Sequence, residues 1–113
     1  MTVVSPKIDL REIEFRVLPM RTRFPFKYGI ASLTALPHLV LKVETEIDGI
    51  LTRGIASEGL PPKWFTKNPD TTFEEDLPAM LGVIGHAAEL TLARPPATFF
   101  DLWKELHEEQ ASW

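Results

Sequence analysis

Residues 38–59, HLVLKVETEIDGILTRGIASEG, restrict the fold of this chain more than any other stretch. Leu39, Leu41, Val43 and Thr45 alternate with Val40, Lys42, Glu44 and Glu46, the period-2 pattern of a strand with one buried and one wet face. Asp48-Gly49 follows, two residues that tolerate positive φ, as a tight hairpin turn requires. Ile50, Leu51 and Thr52 then resume the pattern, so a second strand is expected to return antiparallel to the first. It runs into Gly54-Ile55-Ala56-Ser57-Glu58-Gly59, where small residues at a strand end admit close approach by another part of the chain.

The same alternation sets in at Ile8. Ile13, Phe15 and Val17 fall on one face and Glu12, Glu14 and Arg16 on the other, until Pro19, which has no donor for a ladder, ends the strand. A two-stranded sheet is marginal in water, so this strand is expected to join the hairpin in a three-stranded antiparallel meander with one apolar face. Residues 1–6 carry no pattern and are expected to fray.

Residues 21–30 form a connection longer than a meander needs. Arg21, Arg23 and Lys27 interleave there with Phe24, Phe26 and Tyr28, beside Gly29. Two readings stand. The mixture suits contact with an anionic, partly apolar ligand or with a protein surface; equally, Phe24 and Phe26 plug the local core and the cations are solvated. A second long loop, 60–70, is stiffened by Pro61, Pro62 and Pro69 and carries Lys63, Trp64, Phe65 and Lys67. Trp64 and Phe65 either cover the end of the sheet or wall a pocket with Lys63 or Lys67 at its rim. Glu58, where strand gives way to loop, is the acid most exposed to a functional role.

From residue 71 the period changes. Thr72-Phe-Glu-Glu75 is a capping-box pattern, and Leu77, Met80, Leu81, Ile84, Ala87 and Ala88 recur at helical spacing, predicting an amphipathic helix to about residue 94. Pro78 predicts a bend or a delayed start, and Pro95-Pro96 a stop. Thr98-Phe-Phe-Asp101 opens a second helix whose expected buried stripe is Phe99, Leu102, Trp103 and Leu106. Two or more helices on one face of the sheet give an α+β fold in a single domain spanning residues 1–113.

Composition narrows the function. At a net charge of −4, with lysines and arginines scattered, neither nucleic acid nor an anionic membrane is an expected partner. The absence of cysteine excludes disulfides, zinc ribbons and thiol nucleophiles, and with no signal-like or spanning run a cytoplasmic location is expected. No Gly-x-Ser-x-Gly elbow or phosphate loop occurs. His86 and Glu89 share helical i,i+3 spacing, but two ligands do not make a metal site, and the acids Glu105, Glu108 and Glu109 read as a solvated face. No catalytic residue and no metal ligand set is therefore assigned to this chain.

The order of parts resembles the N-terminal capping domain of the enolase superfamily, on the mandelate racemase and muconate lactonizing enzyme side. The resemblance rests on a period-2 strand, a long connection, Leu39-Val40-Leu41-Lys42-Val43, Asp48-Gly49, the strand end Gly54-Ile55-Ala56-Ser57-Glu58, a second long loop, a capped helix, and the helix carrying Phe99-x-x-Leu102-Trp103. It covers almost the whole chain, with a longer spacing between Asp-Gly and the acid than the family pattern has.

The resemblance implies that the two loops close over a C-terminal (β/α)-barrel and select a small carboxylate substrate, with Arg23, Phe24, Phe26, Lys27, Tyr28, Glu58, Lys63, Trp64 and Phe65 facing it. It also implies that the barrel, outside residues 1–113, supplies a Lys-x-Lys base and three acidic ligands for Mg²⁺, which abstract a proton next to the carboxylate. On this reading the chain alone has no turnover, and the longer protein is an isomerase or lyase. Two rivals stay open. One is a free-standing protein-interaction module using the same aromatic loops, with self-association through exposed apolar surface; the other is an α+β domain with no ligand of its own.

Overall fold

The computed structural model describes residues 5–29 and 31–113. It is an α+β fold in the order β1 (Lys7–Leu18), β2 (Arg21–Tyr28), β3 (Ala31–Ala35), β4 (His38–Ile47), β5 (Ile50–Gly59), α1 (Phe73–Leu92), β6 (Ala97–Thr98) and α2 (Phe99–Ala111). Four strands form one sheet in the order β5-β4-β1-β6, and β2 and β3 pair in a sheet of their own. Of the expected fraying segment, residues 1–4 lie outside the described residues.

Contacts divide the chain into two compact units. The first comprises the chain up to Glu14, Lys42–Ile55 and Gly85–Trp113; the second comprises Phe15–Leu41 and Ala56–Ile84.

In the first unit the β4–β5 hairpin turns at Asp48 and Gly49, whose φ values of 52° and 81° place both in the left-handed region that two-residue hairpin loops demand. Thr45 is buried on β4 and its hydroxyl donates to the Asp9 carbonyl of β1 at 3.1 Å. Arg11 bridges Asp9 and Glu46 on the exposed side of the same strands. β6 adds to β1 antiparallel, pairing Ile8 with Ala97, a fourth strand beyond the three expected. Thr98 then caps α2, accepting from the Asp101 amide at 3.3 Å.

Only part of the expected α2 stripe is buried. Leu102 is, but Phe99 and Trp103 are exposed; Trp103 lies in an aromatic row along the helix surface, tilted against Phe100 and stacked at 5.5 Å on His107. Arg94 lies beside Glu105 and Glu109, so the acids of the last helix are partly engaged. His86, which shares helical spacing with Glu89, is engaged elsewhere. Its ring stacks on Trp113 at 4.0 Å and shares a 2.6 Å hydrogen bond with the Gln110 side-chain carbonyl.

In the second unit the core is small. Leu39, Leu60 and Met80 are buried together, with Val17, Phe73, Leu77, Leu81 and Ile84 packed against them. Helical spacing thus places Leu77, Met80, Leu81 and Ile84 on one side of the first half of α1, as the sequence pattern predicts. That helix begins at Phe73 without delay, capped by Thr72, whose hydroxyl accepts from the Glu75 amide, and Pro78 is carried inside it. Gly59 lies close to Leu36: a Cβ there would meet Leu36 Cδ1 at 3.2 Å, and that side chain would have to give by a few tenths of an ångström.

The connection at 21–30 is not a loop. Arg21–Tyr28 forms β2, which turns at Gly29 (φ 50°) and pairs with β3, with Tyr28 opposite Ala31 and Phe26 opposite Leu33. A register shift falls between Arg21 and Phe26, where Pro25 has no amide proton to donate. Thr22 ties the irregular end by donating toward the Leu33 and Thr34 carbonyls. Ile30, the last residue of the expected loop, lies outside the described residues.

Candidate functional site

The two aromatic segments meet in the second unit. Tyr28, at the end of β2, donates its phenolic hydrogen to the Pro62 carbonyl at 2.5 Å, and its ring stands edge-on to Trp64 with centroids 6.1 Å apart. Burial pushes the Tyr28 hydroxyl pKa up, since the phenolate would lose hydration there. Phe26 tilts against the same ring at 5.9 Å. A cleft of about 380 Å³ opens between the segments, lined by Tyr28, Gly29, Lys63, Trp64 and Lys67.

Lys63 is the largest departure from expectation. It was placed at the cleft rim as a cation for a ligand, but its ammonium turns inward. It donates to the Asn68 and Thr71 carbonyls, the Thr71 hydroxyl and the Asp76 carboxylate, the last at 2.8 Å. An ammonium has three protons, so this set leaves none for a ligand. Asp76 is only 3% exposed, and Thr71 donates its own hydroxyl hydrogen to the other carboxylate oxygen at 2.6 Å. Two donors on one carboxylate explain why burial costs it so little: Lys63 first, then Thr71, hold the Asp76 pKa below the ordinary range. The backbone at Lys63 is left-handed, φ 58°, a conformation the four-acceptor grip holds against its steric cost.

The second lysine at this cleft is Lys67, whose ammonium lies over the Trp64 ring, 5.9 Å from its centroid. Arg23 and Lys27 are exposed on β2. Phe24 is 79% exposed and Phe26 is exposed too, which overturns the reading of both as core plugs. Phe65 and Glu58 belong to a different cavity, of about 450 Å³, whose walls include Leu39, Leu60, Met80 and Ile84. The residues expected to share one site are thus divided: Tyr28 and Trp64 meet at one cleft, Phe65 and Glu58 line another cavity, and Asp76 was not among those expected. Asp76 carried no signal beyond being one of three acids in a helical first turn.

Among the described residues no three His, Asp or Glu side chains converge as metal ligands, and no helix is long and apolar enough to cross a membrane. Among the described residues, the Tyr28–Trp64 cleft thus presents a hydroxyl already committed, an aromatic wall and the Lys67 ammonium. No family model, no curated protein and no solved structure matches this chain.

Proposed function

We propose that this chain is a capping domain of the enolase-superfamily type, which shapes the entrance to a barrel active site and selects a small carboxylate substrate. The observation that carries the reading is the side-by-side placement of the two aromatic segments, joined by Tyr28 to Pro62 and Trp64. The strand order supports it as well, since β1, β4 and β5 are neighbours in that sequence, as a meander interrupted by the β2–β3 ribbon would place them. Tyr28 and Trp64 would wall the substrate's apolar part, and Lys67 would attract its carboxylate. Mg²⁺ belongs to the barrel on this reading; among the described residues here no three acidic or histidine side chains converge to hold it.

The test uses the longer gene product in D₂O with a panel of carboxylates, following loss of the α-proton signal by NMR. Exchange at one member of the panel is expected, with Trp64→Ala and Lys67→Ala changing which carboxylate is preferred. A gene product without a Lys-x-Lys segment and three spaced acids would overturn the reading.

Exposure of Phe24, Phe26, Trp64 and Phe65 favours a second reading, a protein-interaction module. Sedimentation separates them: association of the chain at high concentration, abolished by Phe24→Ser with Phe26→Ser, is expected of the module, and a strict monomer speaks against self-association.

A further inference from the structure

Neighbouring residues Trp64 and Phe65 wall different cavities. The one behind Phe65 falls within the range of small-molecule sites at about 450 Å³, and its lining is apolar apart from Thr66 and Glu58. Leu60 and Met80, at its floor, are among the most buried residues of the second unit, so that wall is held by the core itself. Glu58 is the one ionisable residue in the lining, and among the described residues nothing engages its carboxylate.

A charge beside a hydrocarbon wall selects by sign. A neutral apolar guest would strip water from the carboxylate without replacing it, and an anionic guest would add repulsion. A guest with an apolar body and an ammonium head fills the walls and pairs the charge. The Phe65 ring and the Met80 thioether both favour an aromatic body.

We propose that this cavity is a binding site for a small aromatic amine, with Glu58 accepting from the ammonium and Leu60, Phe65 and Met80 enclosing the ring. The site is distinct from the Tyr28–Trp64 cleft, which Lys67 makes cationic, and it does not depend on the capping-domain reading.

Three probes of similar size test it on the 113-residue chain: 2-phenylethylamine, neutral 2-phenylethanol and anionic 3-phenylpropanoate. Methyl NMR is expected to show saturable shifts at Leu60 and Met80 with the amine, binding on the order of tenfold weaker with the alcohol, and none with the anion. Glu58→Gln should weaken the amine about tenfold and leave the alcohol bound at least as tightly, while Val83→Trp, at an exposed lining position, should block both. Glu58 is exposed, so its variant keeps the core, and the three-probe comparison on the unaltered chain stands without it. Equal binding of all three probes, an unaltered amine affinity in Glu58→Gln, or amine shifts confined to the Tyr28–Trp64 cleft would overturn the proposal.

Discussion

Lys63 and Asp76 lie 2.8 Å apart across the base of the aromatic loop, one 13% and the other 3% exposed in its side chain. The pair joins a residue of the stiff loop to the first turn of α1, and Thr71 closes the triangle.

Its first consequence is a pH dependence. The Asp76 pKa is depressed, chiefly by the Lys63 hydrogen bond and then by Thr71, against the opposing pull of burial. A depressed carboxylate contributes stability that is fully present above its unfolded value of about 3.9 and is lost as pH falls through the folded value. Thermal melts should therefore show Tm declining as pH falls below about 5. Asp76→Asn should lower Tm at neutral pH and flatten that acid limb; an unchanged limb would mean that other carboxylates set it.

Lys63 separates charge from backbone. Lys63→Met removes the ammonium and leaves Asp76 charged and buried without its principal partner, so it should unfold at lower urea than the double variant with Asp76→Leu. Lys63→Gly loses the same ammonium but relieves the left-handed backbone, and should recover about 1 kcal/mol relative to Lys63→Met. Equal urea midpoints for Met and Gly would show that the φ of 58° carries no strain.

Tyr28→Phe keeps the ring and removes the donor to Pro62. The expected loss is about 1 kcal/mol, the net worth of one hydrogen bond. In a background with Trp103 and Trp113 replaced by Phe, Trp64 emission should shift to the red as the cleft loosens. Emission that stays put would mean that edge-on packing of the two rings suffices to hold the segments together.

Leu60 and Ile55 bracket the range of apolar substitutions. Leu60 is 3% exposed at the centre of the small core, so Leu60→Ala should cost about 2–5 kcal/mol in urea unfolding. Ile55, 76% exposed on edge strand β5, should tolerate Ile55→Thr within about 0.5 kcal/mol. A large loss at Ile55 would indicate that this strand is covered in solution.

The parts legible in the sequence are those set by local rules. Asp48-Gly49 reads as a turn because few other pairs accept two left-handed residues, and Thr72 and Thr98 read as caps because their hydroxyls reach an amide only three residues on. The β2–β3 ribbon was hidden because Pro25 and the register shift erase its period. Phe99 and Trp103 misled for the opposite reason: helical spacing states which residues share a face, and not whether anything covers it. The Lys63–Asp76 pair left no trace, since a single contact thirteen residues apart has no periodicity to detect.

The grip of the Lys63 ammonium on Asn68, Thr71 and Asp76 pins both ends of a short arch. Trp64, Phe65, Thr66 and Lys67 hang between those posts, outside the bonds that hold them up. Their side chains line the two hollows, so exchanging them would reshape those walls while the posts remain. A substitution at any of these four positions would thus leave every bond made by the Lys63 ammonium in place.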